Sequence, residues 1–84
     1  MTPDEQLAEA IDLLREQVSY LDEMSDARSD GSRARWCSAT QARRHAERAR
    51  GMRGALIRVG VIRFDHPMAY EVMRAANRAE LIAS

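Results

Sequence analysis

Apolar residues recur at helical intervals along most of this chain. Leu7, Ile11, Leu14, Val18 and Leu21 alternate spacings of four and three, with Ala10 and Met24 beside them, so they form one stripe in the manner of a heptad seam. The opening Thr2-Pro3-Asp4-Glu5 sets a capping residue before a proline, with a glutamate two residues after the proline. That order predicts a capping box between Thr2 and Glu5 and a helix over about 3–24. The following Ser25 to Ser32 is a run of turn and capping residues with little to bury, which predicts a loop at 25–32. Asp30 or Ser32 is then the expected cap of the next helix.

A second apolar face joins Ala42, His45, Ala46, Ala49, Met52, Leu56 and Val59, with Arg43, Arg44, Glu47, Arg50 and Arg58 roughly opposite. The pattern predicts a helix over about 33–60, with Gly51 and Gly54 as points where it can break. Residues 55–64 hold the densest run of β-branched side chains, Ile57, Val59, Val61 and Ile62. Helix is the preferred reading there, and a short strand pairing across a dimer is the alternative. Asp65-His66-Pro67 ends whatever precedes it and offers a cap for a third helix over about 67–83. Met68, Val72, Ala75, Ala76, Ala79 and Ile82 are the apolar face of that helix, and Glu71, Arg74 and Arg78 its wet one. The expected fold is all-α: a single-domain three-helix bundle, with helices 1 and 2 antiparallel and helix 3 closing one side.

Length and charge sharpen this picture. A chain of 84 residues buries a thin core, and association is a natural way to thicken it. All 13 basic residues are arginine; with so many alanines, that looks like the codon bias of a G+C-rich genome, so arginine content alone is weak support for nucleic-acid binding. The net charge is zero, yet residues 1–30 carry nine acids against two bases, a balance of −7, and the remainder carries +7. The seam spacing turns Glu5, Glu9, Asp12, Glu16 and Glu23 away from the apolar stripe. Opposite poles on one small domain favour association with another copy or with a charged partner.

Candidate chemistry is sparse. Cys37, His45 and His66 are the only soft or imidazole ligands, and no pair has zinc-like spacing. Neither a metal nor a cofactor is expected. Cys37 and His45 lie about 80° apart around a helix and two turns apart along it, too far for a nucleophile and its base. The carboxylates of helix 1 run along a solvent face instead of converging in a cleft. No glycine loop of the P-loop or dinucleotide type is present. Gly51-Met52-Arg53-Gly54 has the glycine spacing of a KH-type GXXG loop, but Glu47-Arg48-Ala49-Arg50 replaces the apolar residues expected before it. An enzyme is not expected.

A helix-turn-helix over 40–63 is the nucleic-acid candidate. Gly51 would supply its turn, and Arg43, Arg44, Arg50, Arg53 and Arg58 would meet phosphates. Against this, Ile57, Val61 and Ile62 make the recognition helix more apolar than a groove-facing helix should be. Trp36, the only tryptophan, falls off the helix-2 stripe and is a candidate partner anchor, together with Glu9, Asp12 and Glu16. The seam Leu7, Ile11, Leu14, Val18 and Leu21 is a candidate for the core or for self-association. A single cysteine permits no intramolecular disulfide, and no charged-then-apolar stretch opens the sequence, so a cytoplasmic protein without a membrane span is expected. The leading expectation is a non-enzymatic helical interaction module: a small adaptor, assembly or regulatory protein of the kind common in phage and accessory genes. It is expected to bind a protein partner or itself. A DNA-binding regulator is the runner-up.

Overall fold

A computed structural model describes residues 1–29 and 38–83. Three helices account for most of them: α1 (Pro3–Ser29), α2 (Ala39–Arg58) and α3 (Pro67–Ala83). Met24 and Ala42 share a cluster with Ala83, while Arg50 reaches Asn77 and Arg53 reaches Ala69, so α2 runs antiparallel to α3. Asp22 meets Arg74 and Asp26 meets Arg78, which makes α1 parallel to α3. The chain is an up-down-up bundle of 44 × 17 × 17 Å.

The third helix does more than close one side. It packs extensively on both others, while α1 and α2 touch each other less. Its Val72, Ala75, Ala76 and Ala79 meet Leu14 and Leu21 of α1 and Ala46 and Ala49 of α2. Alanine at so many core positions lets the helix axes approach closely, and among the described residues only Leu14, Leu21, Met24 and Val72 are large apolar side chains that are fully buried. Each methylene they supply therefore matters more than in a larger core.

The helix ends follow local chemistry, not always where the sequence pattern puts them. The Thr2 hydroxyl accepts the Glu5 N–H at 3.2 Å, which is one of the two hydrogen bonds of the capping box that the opening motif predicts. Helix α1 does not stop at Met24; it continues to Ser29, so the expected loop is helical in its first half and lies outside the described residues from position 30. Packing overrides the turn-forming residues here, because Met24 and Ser25 are buried and Asp22 and Asp26 are tied to α3. Helix α2 begins at Ala39 and not near 33. Its cap is Ser38, which accepts the Gln41 N–H at 3.1 Å while Gln41 Oε1 accepts the Ser38 N–H at 3.3 Å. Asp30 and Ser32 lie outside the described residues.

Helix α2 passes unbroken through Gly51 and Gly54 and ends at Arg58. There Gly60 adopts φ +83°, with the Gly60 N–H on the Ile57 carbonyl and the Val61 N–H on the Leu56 carbonyl, both at 3.0 Å. This is a Schellman ending, and it needs the one residue type that enters the left-handed region without strain. Residues 55–64 are thus the last turn of α2 followed by a tight turn, and no strand occurs among the described residues. Ile62 swings back from that turn to seal the core. Helix α3 starts after His66, whose Nδ1 accepts the Met68 N–H at 3.0 Å. No described helix is long and apolar enough to cross a membrane.

Candidate interaction surface

The apolar seam of α1 is used inside the chain. Leu14 and Leu21 are fully buried, and half-buried Leu7, Ile11 and Val18 pack against the same core. The acids turned away from it are left outside. Glu5, Glu9, Asp12, Glu16 and Glu23 are all exposed, and at spacings of four, three, four and seven they form a ridge along α1. Asp12 has only an exposed contact with Arg15 at 3.8 Å, worth about 0–1 kcal/mol.

The arginines divide into two groups. Arg43, Arg44, Arg48 and Arg58 are exposed on α2. Arg50 is engaged within the fold: it pairs with Glu80 and donates to Asn77 Oδ1 at 2.6 Å. Arg53 donates through Nε to the Ala69 carbonyl at 2.9 Å. The turn that a helix-turn-helix needs at Gly51 is helical, and two of the five arginines such a motif would employ hold α2 to α3. Trp36 and Cys37 lie outside the described residues.

Arg74 and Arg78 belong to the wet face of α3 by sequence pattern, yet they form its main polar tie. Arg74 grips Asp22 with both terminal nitrogens, at 3.2 and 3.0 Å, and also meets Glu71 at 3.1 Å. Arg78 bridges Asp22 and Asp26. The signal in the sequence is the matched spacing: two aspartates four apart meet two arginines four apart on parallel helices. The Arg74 guanidinium holds the Asp22 carboxyl below its ordinary value, against the opposing effect of partial burial. Arg50 does the same to Glu80.

Between α1 and α2, the least packed pair, runs an open groove. Near the start of α1 it is lined by Met1, Glu9 and Leu13 facing Leu56 and Val61. Further up it is lined by Glu16, Gln17 and Tyr20 facing His45 and Arg48, with the Tyr20 and His45 rings edge to face at 4.7 Å. Several large apolar side chains remain exposed: Leu13 in the groove, Val59 and Phe64 at the turn, Tyr70 and Leu81 on α3. Among the described residues no three of His, Cys, Asp and Glu converge as a metal-ligand set. The arrangement is an open, charged and partly apolar surface, suited to contact over an area. No protein-family model, curated protein or solved structure matches the chain.

Proposed function

We propose that this chain is a non-enzymatic helical interaction module, a small adaptor, assembly or regulatory protein that works in the cytoplasm by binding a protein partner or a further copy of itself. A phage or accessory gene is a natural origin for such a protein. The observation that carries the reading is the outward set of charges. The core is completed within the chain, yet Glu9, Asp12 and Glu16 stand in an exposed acidic ridge on α1, and Arg44 and Arg48 are exposed on α2. Exposed Leu13 and Phe64 add apolar area.

DNA binding is the competing reading, and its remaining support is the exposed arginines Arg43, Arg44 and Arg58. Light scattering at two salt concentrations, with and without duplex DNA, separates the two. The interaction module gives a mass above the 9.5 kDa of one chain, unchanged by duplex. Sub-micromolar, sequence-dependent binding to DNA at physiological salt would overturn it in favour of the regulator. In that case alanine at both Arg44 and Arg58 would lower the salt slope by about one unit for each phosphate no longer neutralised.

A further inference from the structure

We infer that the α1–α2 face is a self-complementary docking surface for a second copy of this chain, joined about a two-fold axis parallel to the helices. This rests on the interaction-module reading and specifies its surface. On α2, Arg44, Arg48, Gly51, Ala55 and Arg58 are all exposed and recur at four, three, four and three, an outward ridge whose Arg48 lines the groove together with Glu16 of the acidic ridge of α1. Among the described residues, Glu9, Glu16, Glu23, Arg44 and Arg48 have no ion-pair partner.

Charge selects the axis. For two copies face to face, a two-fold axis across the helices lays acidic ridge on acidic ridge. An axis along the helices lays α1 of each copy on α2 of the other, acid on base, with both contacts generated by one operation. The heights also agree. Tyr20 stands level with His45, and Glu9 and Leu13 with Leu56, so in antiparallel helices Glu23 comes level with Arg44, Glu16 with Arg48 and Glu5 with Arg58, each to within about one turn. Where no arginine stands, α2 presents Gly51 and Ala55. A Cβ built on Gly51 meets nothing within 4 Å, so a second helix can come close there. Leu13, 45% exposed, and Met1, 76% exposed, supply apolar area between the ridges.

A charge swap tests this. One variant carries Arg44→Glu with Arg48→Glu, and its face becomes predominantly acidic, with Arg58 the one base left on the α2 ridge. The other carries Glu16→Arg with Glu23→Arg, and its face becomes predominantly basic. Both keep the native helical circular dichroism, because only exposed side chains change. The unmutated chain has twice the 9.5 kDa mass of one copy at low salt. Each variant alone has the mass of one copy, its dissociation constant raised at least about 100-fold by like charges facing each other. An equimolar mixture of the two returns to the mass of two copies. A dimer that persists in both variants overturns this surface and leaves self-association standing. An unmutated chain that stays at 9.5 kDa overturns the surface together with self-association, and the mixture of variants remaining monomeric overturns the proposed axis.

Discussion

Leu13 and Leu14 are neighbours of one residue type whose roles differ only by helical phase. Leu14 is fully buried and Leu13 is 45% exposed. Truncating Leu14 to alanine removes three carbons from the core, about 2.4 kcal/mol at ~0.8 kcal/mol per buried methylene. The α3 residues that share its core are Met68, Val72, Ala75, Ala76 and Ala79, and all but Met68 are short side chains that cannot swing in to fill the space. A cavity term therefore adds to the transfer term and brings the total to about 3–4 kcal/mol. Stability of ~0.05–0.15 kcal/mol per residue gives a chain of 84 residues about 4–13 kcal/mol altogether. The loss is thus a large part of the whole. At about 4–8 °C per kcal/mol it lowers the melting temperature by about 12–32 °C, whereas Leu13→Ala costs about 1 kcal/mol or less. Thermal unfolding followed by far-ultraviolet circular dichroism reads both, at a concentration low enough that the melting temperature no longer depends on it. Equal melting temperatures for the two variants would refute the phase assigned to α1 and with it the core.

The same packing sets the outcome of other substitutions. Gly54→Ala raises stability by about 0.5–1 kcal/mol, since the helix runs straight through it and an added Cβ has nothing within 4 Å, while Gly60→Ala lowers it by about 1–2 kcal/mol because its φ of +83° is left-handed; urea titration of both variants checks the pair. Ser25→Ala raises the melting temperature by about 4–8 °C, because the buried Ser25 hydroxyl has no hydrogen-bond partner among the described residues and its removal recovers about 1 kcal/mol. Asp22, lowered from 3.8 in the fold, gives stability that is complete above that ordinary value and is lost as pH falls through the lowered native one; acid titration of Asp22→Asn against the unmutated chain shows a smaller drop in that window. His66→Ala removes the acceptor of the Met68 N–H and lowers stability by about 0.5–2 kcal/mol, read in the same urea series.

The local part of the fold is legible in the sequence. The α1 stripe and the Pro67 start of α3 are short-range signals, and both helices begin where those signals stand. The end of α1 is not legible, because Asp22 and Asp26 are held by arginines 52 residues away, and those ties outweigh the local turn preference of Ser25 and Asp26. The Ser38 to Gln41 capping box is written in the chain, but the earlier Asp30 and Ser32 offer equally good caps, and nothing local ranks them. Glycine is ambiguous in the same way: Gly51 and Gly54 look like breaks and are helix interior, while Gly60 is the one that ends α2. At the surface, the acidic ridge is legible because periodicity alone fixes it. The split among the arginines is not, since the partners of Arg50 and Arg53, Glu80 and the Ala69 carbonyl, are remote in sequence.

The central claim, that the acidic ridge of α1 serves association, is tested most directly by sedimentation equilibrium of the unmutated chain beside a variant carrying Glu9→Gln, Asp12→Asn and Glu16→Gln. Exposed charges contribute only about 0–1 kcal/mol each to the fold, so the variant keeps its helical content. At low salt the unmutated chain sediments at twice the 9.5 kDa mass of one copy and the variant near that of one copy. Added salt moves the unmutated chain toward the variant by screening. A variant that sediments as the unmutated chain does at low salt would mean that the ridge is merely solvated, and would contradict the account.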